Sequence, residues 1–207
     1  MSKVFVDISM SLDGFIAGPN GGPQNPLGDG GHQIHQWMYD VESWRERQRL
    51  AGGQINQDDE VVKESFVRTG AYVMGSRMFG EGEVAWPDPP PFRAPVFVLT
   101  HHAREPWIRQ GGTTFTFVTD GIESALKQAR AATGDKDVRI AGGANTVQQC
   151  IEAGLIDELQ IHLAPVLLGD GVRLFEHIGP EHVELEKTQV IDSPKVTHLR
   201  YRVVKED

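Results

Sequence analysis

The sequence predicts an α/β fold in which a largely parallel sheet carries helices on both faces. Short apolar runs alternate along the chain with longer segments whose apolar residues recur at helical spacing, which is the order typical of α/β proteins. The runs also lack a regular polar face, as expected for strands that are buried on both sides of a parallel sheet. Two final strand-like segments, joined by a short turn, predict an antiparallel hairpin at the C-terminal end.

The first strand is predicted at residues 4–10, in the run VFVDISM. Residues 18–31 hold six glycines and three prolines, which makes this segment too long and flexible for a plain turn. We interpret it either as a mobile lid or as a disordered surface insertion. Helices are predicted from residue 32 and from residue 58 to Gly70. The first has an apolar stripe of Ile34, Trp37, Met38, Val41 and Trp44. Its members Trp37, Met38 and Trp44 either line a substrate pocket or, as is more usual for such stripes, pack in the core.

Strands and helices continue to alternate after Gly70. Strands are predicted at residues 71–75, 96–100, 114–119 and 138–141, and helices at 76–79, 121–132 and 144–153. Apolar and polar residues then alternate within 155–169, and His162 falls on the polar face, so we expect it at the surface or in a subunit interface. The hairpin at 183–190 and 196–203 completes a single domain over residues 1–207.

Charge and cysteine content limit the classes of partner. The net charge is -9, and an acidic surface repels phosphate backbones, so we expect neither a nucleic-acid nor a membrane partner. The single cysteine, Cys150, excludes an internal disulfide and a four-cysteine zinc site, and we expect no metal site. No apolar run approaches the roughly 18 residues of a membrane span. We therefore expect a soluble cytoplasmic protein.

A glycine pair follows the strand predicted at 138–141 and precedes the helix at 144–153. Ligands of open α/β sheets bind beyond the carboxyl ends of the strands, where Gly142 and Gly143 fall. Bare backbone lets a phosphate approach the N–H groups, and a helix N-terminus adds partial positive charge. Side chains that can donate hydrogen bonds follow. The segment is either a pyrophosphate site or a tight turn; its residues are Gly142, Gly143, Ala144, Asn145 and Thr146.

Two more strand ends carry the same chemistry. Gly75 and Ser76 leave one strand and Arg77 follows, which is the side chain suited to bidentate phosphate binding. Thr100 and His101 end the next strand. Together the three ends predict a long ligand with more than one phosphate. The chain has neither G-x-x-x-x-G-K-[ST] nor G-x-G-x-x-G, so these residues alone indicate only a dinucleotide or a similar phosphate ligand.

Five segments resemble the dihydrofolate reductase-like family, in the branch of the reductase domain of the riboflavin-biosynthesis deaminase–reductase. The match covers nearly the whole chain in the right order. Its segments are SLDGFIAG (11–18), YVMGSRMF (72–79), VFVLTH (96–101), IAGGANTVQQ (140–149) and LIDELQIHLAPVLLGDGVRLF (155–175).

The resemblance implies a sheet of about eight strands and NADPH as the cofactor. By position, the nicotinamide amide would meet Ala17 and Gly18; the adenosine phosphate side would meet Gly75, Ser76, Arg77 and Met78; the 2′-phosphate would lie near Thr100 and His101; the pyrophosphate would rest on Gly142, Gly143, Ala144, Asn145 and Thr146.

The chain departs from the family in two places. Many relatives carry Arg where this chain has Ser76, which weakens the case for NADPH over NADH. The deaminase signature, H-x-E with P-C-x-x-C, is missing, so we expect a stand-alone reductase-like domain.

No catalytic acid stands out. Dihydrofolate reductases carry a carboxylate on the first helix, and Asp40 occupies that helix here, either facing the ligand or on a solvated face. Asp13 more readily caps a turn than supplies a proton.

The sequence therefore predicts an NADPH-dependent oxidoreductase acting on a small heterocyclic or carbonyl substrate. The alternatives are a non-catalytic NADP-binding module and a 5-amino-6-ribosylaminouracil phosphate reductase. We also expect a homodimer, because the strand within 155–169 and the C-terminal hairpin are predicted to lie at a sheet edge, and exposed edges are usually covered.

Overall fold

The structure, a computed structural model, describes residues 2–205 and alternates strands with helices along the chain. The strands are β1 (Val4–Ser11), β2 (Phe15–Ala17), β3 (Thr69–Gly75), β4 (Val96–Leu99), β5 (Trp107–Ile108), β6 (Thr114–Val118), β7 (Asp137–Gly142), β8 (Glu158–Ala164), β9 (Val172–Arg173), β10 (Leu185–Ser193) and β11 (Val196–Val203). The helices are α1 (Gln36–Tyr39), α2 (Glu42–Arg47), α3 (Gln57–Arg68), α4 (Ser76–Gly82), α5 (Ile122–Ala132) and α6 (Ala144–Glu152).

Nine strands form one sheet in the order β10-β11-β8-β1-β7-β3-β4-β6-β5, and β2 pairs with β9 separately. The central strands β8, β1, β7, β3, β4 and β6 are parallel. Antiparallel pairs lie at the two ends, β10–β11–β8 on one side and β5–β6 on the other. The predicted fold class is confirmed, and the count of nine instead of about eight arises because the two-residue strand β5 joins the edge.

Each strand divides its side chains between two helical layers, since successive residues point to opposite faces. From β1, Val4 and Val6 pack with residues of α5 and α6 in the largest apolar cluster. Phe5 and Asp7 face the other way, toward α3: the Arg68 guanidinium lies 4.0 Å from the Phe5 ring centroid. Burial on both faces explains why the β1 sequence shows no regular polar side.

The continuous helix predicted from residue 32 is wrong. The chain there forms a 3-10 helix (Gly31–His35), then α1, and then α2, with a break at Val41. Val41 is extended because the backbone on either side of it pairs with Gln54, through Gln54 N–H to Asp40 O and Glu42 N–H to Gln54 O. The apolar stripe still lies in the core, since Trp37 and Val41 pack against Val62 of α3.

Two predictions about the C-terminal strands are corrected by the sheet order. β8 lies between β1 and β11, so the edge of the sheet belongs to β10. His162 of β8 is 4% exposed instead of lying at the surface. Alternation failed as a guide because the face opposite Ile161 is covered by α1 and α3, and a buried polar group there is tolerated when it is hydrogen-bonded.

Candidate functional site

A cleft of about 420 Å³ lies at the carboxyl ends of the central strands. The ends of β3, β4 and β7 form its floor, the starts of α4 and α6 form one wall, and β2, β9 and the 18–31 segment form the other. Twelve of the thirteen residues expected to hold a cofactor line this cleft: Ala17, Gly75, Ser76, Arg77, Met78, Thr100, His101, Gly142, Gly143, Ala144, Asn145 and Thr146.

The β7–α6 junction brings bare backbone against a helix N-terminus. Gly142 has a φ of +133°, a conformation that side chains disfavour, and Gly143 precedes the nine-residue helix α6 without a side-chain cap. A Cβ on Gly75 of β3 would lie 2.7 Å from Oγ1 of Thr146, so the end of β3 and the start of α6 approach each other closely. The first N–H groups of α6 have no intrahelical partners, which suits an anion at this point.

The other two strand ends add side-chain donors. Arg77, in the first turn of α4, has a 61% exposed side chain whose Nε lies 2.9 Å from Oε1 of Glu81. Oγ1 of Thr100 accepts the backbone N–H of His102 at 3.1 Å, which orients the hydroxyl at the end of β4. An exposed guanidinium and an oriented hydroxyl in the lining of the cleft are suited to binding phosphate oxygens.

The 18–31 segment is an ordered loop and forms part of the cleft wall. Asp29 accepts hydrogen bonds from Nδ2 of Asn20 and of Asn25, at 2.7 and 2.8 Å. Pro26 and Leu27 line the cleft. The interpretation of this segment as a disordered insertion is therefore not supported, and its hydrogen-bonded form is that of a compact loop whose ends are tied together.

Gly18 does not line the cleft as expected. Its N–H donates to the carbonyl of Leu27 at 2.8 Å, and a Cβ there would lie 1.9 Å from the carbonyl oxygen of Asp29. The glycine is therefore required for close packing within the 18–31 loop, and Ala17 beside it supplies the cleft surface.

We call the part of the cleft beside the 3-10 helix its apolar end. That helix packs against β1 and β2, which carry Ile8 and Ile16, and against Leu27, and these three residues and His35 line the cleft. Burial lowers the pKa of His35 to about 4, and positive charge on His162 lowers it further in the same direction. His35 is therefore a neutral group at neutral pH.

The two carboxylates that the sequence offers as possible proton donors, Asp40 and Asp13, do not line the cleft. Asp40 is exposed, pairs with Nζ of Lys195 at 2.9 Å and is not a lining residue of the cleft. Asp13 accepts the Ser11 hydroxyl at 2.6 Å and the N–H of Gly169 at 2.7 Å, so it fixes the turn after β8. The Ser11 bond and these backbone bonds lower the pKa of Asp13 to about 2. Neither position places a proton donor in the cleft.

A buried polar chain runs between the sheet and α1 and α3. Asp7, His162 and His198 are each about 4% exposed, and Nε2 of His162 lies 2.7 Å from Oδ1 of Asp7. Burial alone would raise the pKa of Asp7, but Arg139 and His162 hold it well below its usual range. These buried polar residues pack against Trp37, whose ring centroid lies 4.7 Å from that of His162. The buried polar network therefore supports the segment that carries His35.

Sequence reasoning missed several cleft residues. His35 falls in a segment whose sequence pattern shows only an apolar helical stripe, although it lies four residues after the end of the glycine-rich loop. Leu27 is the one large apolar residue in that loop, a signal that the loop covers something. Glu81 and Gln149 also line the cleft, one turn along α4 and α6, and nothing in their own sequence context distinguishes them from surface residues.

The comparisons with known proteins identify the family of the chain and its fold. The family model of the RibD C-terminal domain matches residues 2–199, and the chain belongs to that family. It is 26% identical over 182 residues to the protein YyaP of Bacillus subtilis, covering 84% of this chain and 80% of YyaP. None of the helices within residues 2–205 has the length and apolar character needed to cross a membrane.

Two solved structures share the fold. A protein from Shewanella sp. PV-4 is 22% identical with a TM-score of 0.67, covering 99% of this chain and 100% of that one. Dihydrofolate reductase from Enterococcus faecalis, solved with NADP(H), is 14% identical with a TM-score of 0.55, covering 98% and 97%. The fold is therefore dihydrofolate reductase-like.

Proposed function

We propose that this protein is an NADPH-dependent reductase that acts on a small heterocyclic or carbonyl substrate. The observation that carries the proposal is the convergence of three strand ends, those of β3, β4 and β7, on one cleft. They bring backbone N–H groups, hydroxyls and a guanidinium to one surface, which suits a ligand with more than one phosphate. The shared fold with a dihydrofolate reductase solved with NADP(H) supports the choice of cofactor.

The cleft residues fit such a cofactor. The start of α6, with Asn145 and Thr146, would hold the pyrophosphate, and a Cβ on Gly75 would meet Oγ1 of Thr146 at 2.7 Å, so this approach depends on bare backbone. Arg77 and Thr100 would hold the phosphate of the adenosine end. NADPH, when bound, supplies the hydride.

The chain's own residues bind, orient and exclude water. The apolar end formed by Ile8, Ile16 and Leu27 would take the nicotinamide and the substrate ring, and removal of water there strengthens polar interactions with the reacting atoms. Asp40 lies outside the cleft, so we assign the proton that completes the reduction to water.

Titration calorimetry with NADPH and NADH tests the cofactor, and oxidation of NADPH with dihydrofolate, 5-amino-6-ribosylaminouracil phosphate and simple carbonyls tests the reaction. We expect saturable binding of NADPH, and Arg77→Ala should weaken NADPH more than NADH because only NADPH carries the 2′-phosphate. Binding without turnover of any acceptor would favour a non-catalytic module. If neither dinucleotide bound, the proposal would fail.

We also propose that the protein forms a homodimer. β10 is one of the two edge strands of the sheet, and seven of its nine residues are exposed. An exposed strand edge offers unpaired backbone groups to a second copy.

A further inference from the structure

His35 lines the cleft from the 3-10 helix, which packs against β1, β2 and Leu27 of the 18–31 loop. The apolar residues that line the same cleft from these elements and from β9 are Ile8, Ile16, Ala17, Leu27 and Val172. Ligand sites are commonly apolar walls with a few placed polar groups that fix orientation. A lone imidazole in such a wall therefore has the character of an orienting group.

The position of His35 is fixed by packing on both sides. Before it, Gly31 lies so close to the rest of the 18–31 loop that a Cβ there would be 3.0 Å from the backbone N of Gly18 and 3.1 Å from Cβ of Leu27. After it, Trp37 is 3% exposed, and its Nε1 donates to the Ser9 hydroxyl at 3.1 Å. A side chain held between two anchored residues presents its ring to the cleft in a defined direction, as a binding group requires.

The ring has no fixed partner within residues 2–205. No hydrogen bond joins it to another described group, and its nearest aromatic neighbour is Tyr39, at 6.4 Å between ring centroids. A neutral imidazole carries one N–H donor and one acceptor nitrogen. Both are available to a molecule in the cleft.

The surroundings of His35 favour an uncharged ligand. Burial and the charge of His162 disfavour its imidazolium form, so the ring offers a dipole instead of a positive charge. A phosphate or carboxylate brought to this apolar wall would lose water without gaining a counter-charge from His35, which is costly. A ring carbonyl is uncharged, so the loss of its hydrating water costs less free energy, and it gains a hydrogen bond from His35.

We propose that His35 binds the substrate, donating its N–H to a ring carbonyl oxygen of an uncharged heterocycle. This inference rests on the proposed function, because it assigns the substrate end of the same cleft. His35 is thereby assigned as a substrate-binding residue that fixes the orientation of the heterocycle in the cleft.

The test uses the intact protein saturated with NADP⁺ and a pair of probes, 5-amino-6-ribosylaminouracil and its 5′-phosphate. Binding is measured by calorimetry, and the ¹⁵N signals of the His35 ring are followed by NMR. The variants are His35→Phe, which removes the donor, and His35→Gln, which restores an N–H. His32→Phe is the matched control, because His32 is an exposed histidine of the same 3-10 helix.

We expect the uncharged probe to shift the His35 ring signals, with a Kd raised about tenfold in His35→Phe and within about threefold of the wild-type value in His35→Gln, as for one neutral hydrogen bond. The affinity for NADP⁺ should be unchanged in His32→Phe, and each His35 variant is saturated with NADP⁺ before the probe is added, so that probe affinities are compared on the same complex. Three outcomes would overturn the assignment of His35 and leave the proposed function standing. They are an unchanged affinity of His35→Phe for the uncharged probe, binding of the phosphorylated probe only by the wild-type protein, and binding of neither probe. Loss of NADP⁺ binding by the wild-type protein would instead overturn the proposed function.

Discussion

The Nδ1 atoms of His162 and His198 lie 2.7 Å apart in the protein interior. Their Nε2 atoms face carboxylates, His162 toward Asp7 at 2.7 Å and His198 toward Asp58 at 3.0 Å. An ionised carboxylate only accepts, so each Nε2 must carry a proton, and the contact between the Nδ1 atoms needs one more. Three protons on four nitrogens give the pair one positive charge.

This proton count makes the buried chain electrically balanced. The shared imidazolium charge and the Arg139 guanidinium, 3.4 Å from Oδ1 of Asp7, face the carboxylates of Asp7 and Asp58. Burial first, and then the charge of His162, lower the pKa of His198, which disfavours a second proton on the pair. The hydrogen bonds and charges of this buried polar network therefore balance one another. Removal of one of its side chains leaves the charge of another without a partner.

The first prediction concerns removal of one member of that network. His162→Phe leaves the buried Asp7 and His198 without their shared partner, and we expect the free energy of unfolding to fall by about 3–5 kcal/mol. Urea unfolding at neutral pH measures it. The exposed control His32→Phe should stay within about 0.5 kcal/mol of wild type. Equal stability of the two variants would contradict the assignment of the pair as a charged network.

The second prediction is a pH dependence of stability caused by His35. Its folded pKa is about 4 against an ordinary 6.5, so between these values the unfolded chain binds a proton that the folded protein does not. Stability therefore falls as the pH drops from 6.5 toward 4, by up to about 3 kcal/mol from this group. His35→Gln has no such proton and should lose correspondingly less stability over the window. Urea unfolding at a series of pH values from 7 to 4 measures the free energy of unfolding of both proteins. An equal loss of this free energy in the two proteins over that range would refute the prediction.

The third prediction tests the close approach at the proposed pyrophosphate site. In Gly75→Ala the new Cβ would lie 2.7 Å from Oγ1 of Thr146, so Thr146 and the start of α6 must shift. We expect NADPH affinity to fall at least about tenfold, as when a placed polar group is lost. Gly22→Ala is the control, because a Cβ there meets nothing within 4 Å. Similar affinities of the two variants for NADPH would argue against the assigned site.

The strand ends were predictable from sequence because glycine, hydroxyl and basic residues follow short buried strands, and parallel strands deliver their carboxyl ends to one edge. The break at Val41 was not, because it depends on pairing with Gln54, thirteen residues away. The burial of His162 was also hidden, since alternation cannot show that a second helical layer covers the polar face. His35 could be placed in the cleft only once the path of the 18–31 loop was known.

The fourth prediction returns to the loop. Asp29 ties the 18–31 loop together through Asn20 and Asn25, and Leu27 lines the cleft, so a ligand in the cleft should hold the loop closed. We expect NADPH to slow limited proteolysis within 18–31. Asp29→Ala should be cleaved faster without NADPH and be protected less. Cleavage at an unchanged rate with and without the cofactor would exclude a role as a lid.

The last prediction concerns the edge strand. Four large apolar residues on and beside β10 are exposed by 38–49%: Val183, Leu185, Val190 and Val204. In a homodimer joined along β10, a second copy would cover this edge and pair its free backbone groups. Val190→Lys places a charge in that contact, and charged side chains on edge strands oppose strand pairing.

We therefore expect the wild-type protein to sediment as a dimer and Val190→Lys as a monomer. The exposed Val84, 75% accessible and outside the hairpin, gives the matched control Val84→Lys, which should remain dimeric. A wild-type monomer at micromolar concentration, or a dimer that survives Val190→Lys intact, would show that β10 is not the contact.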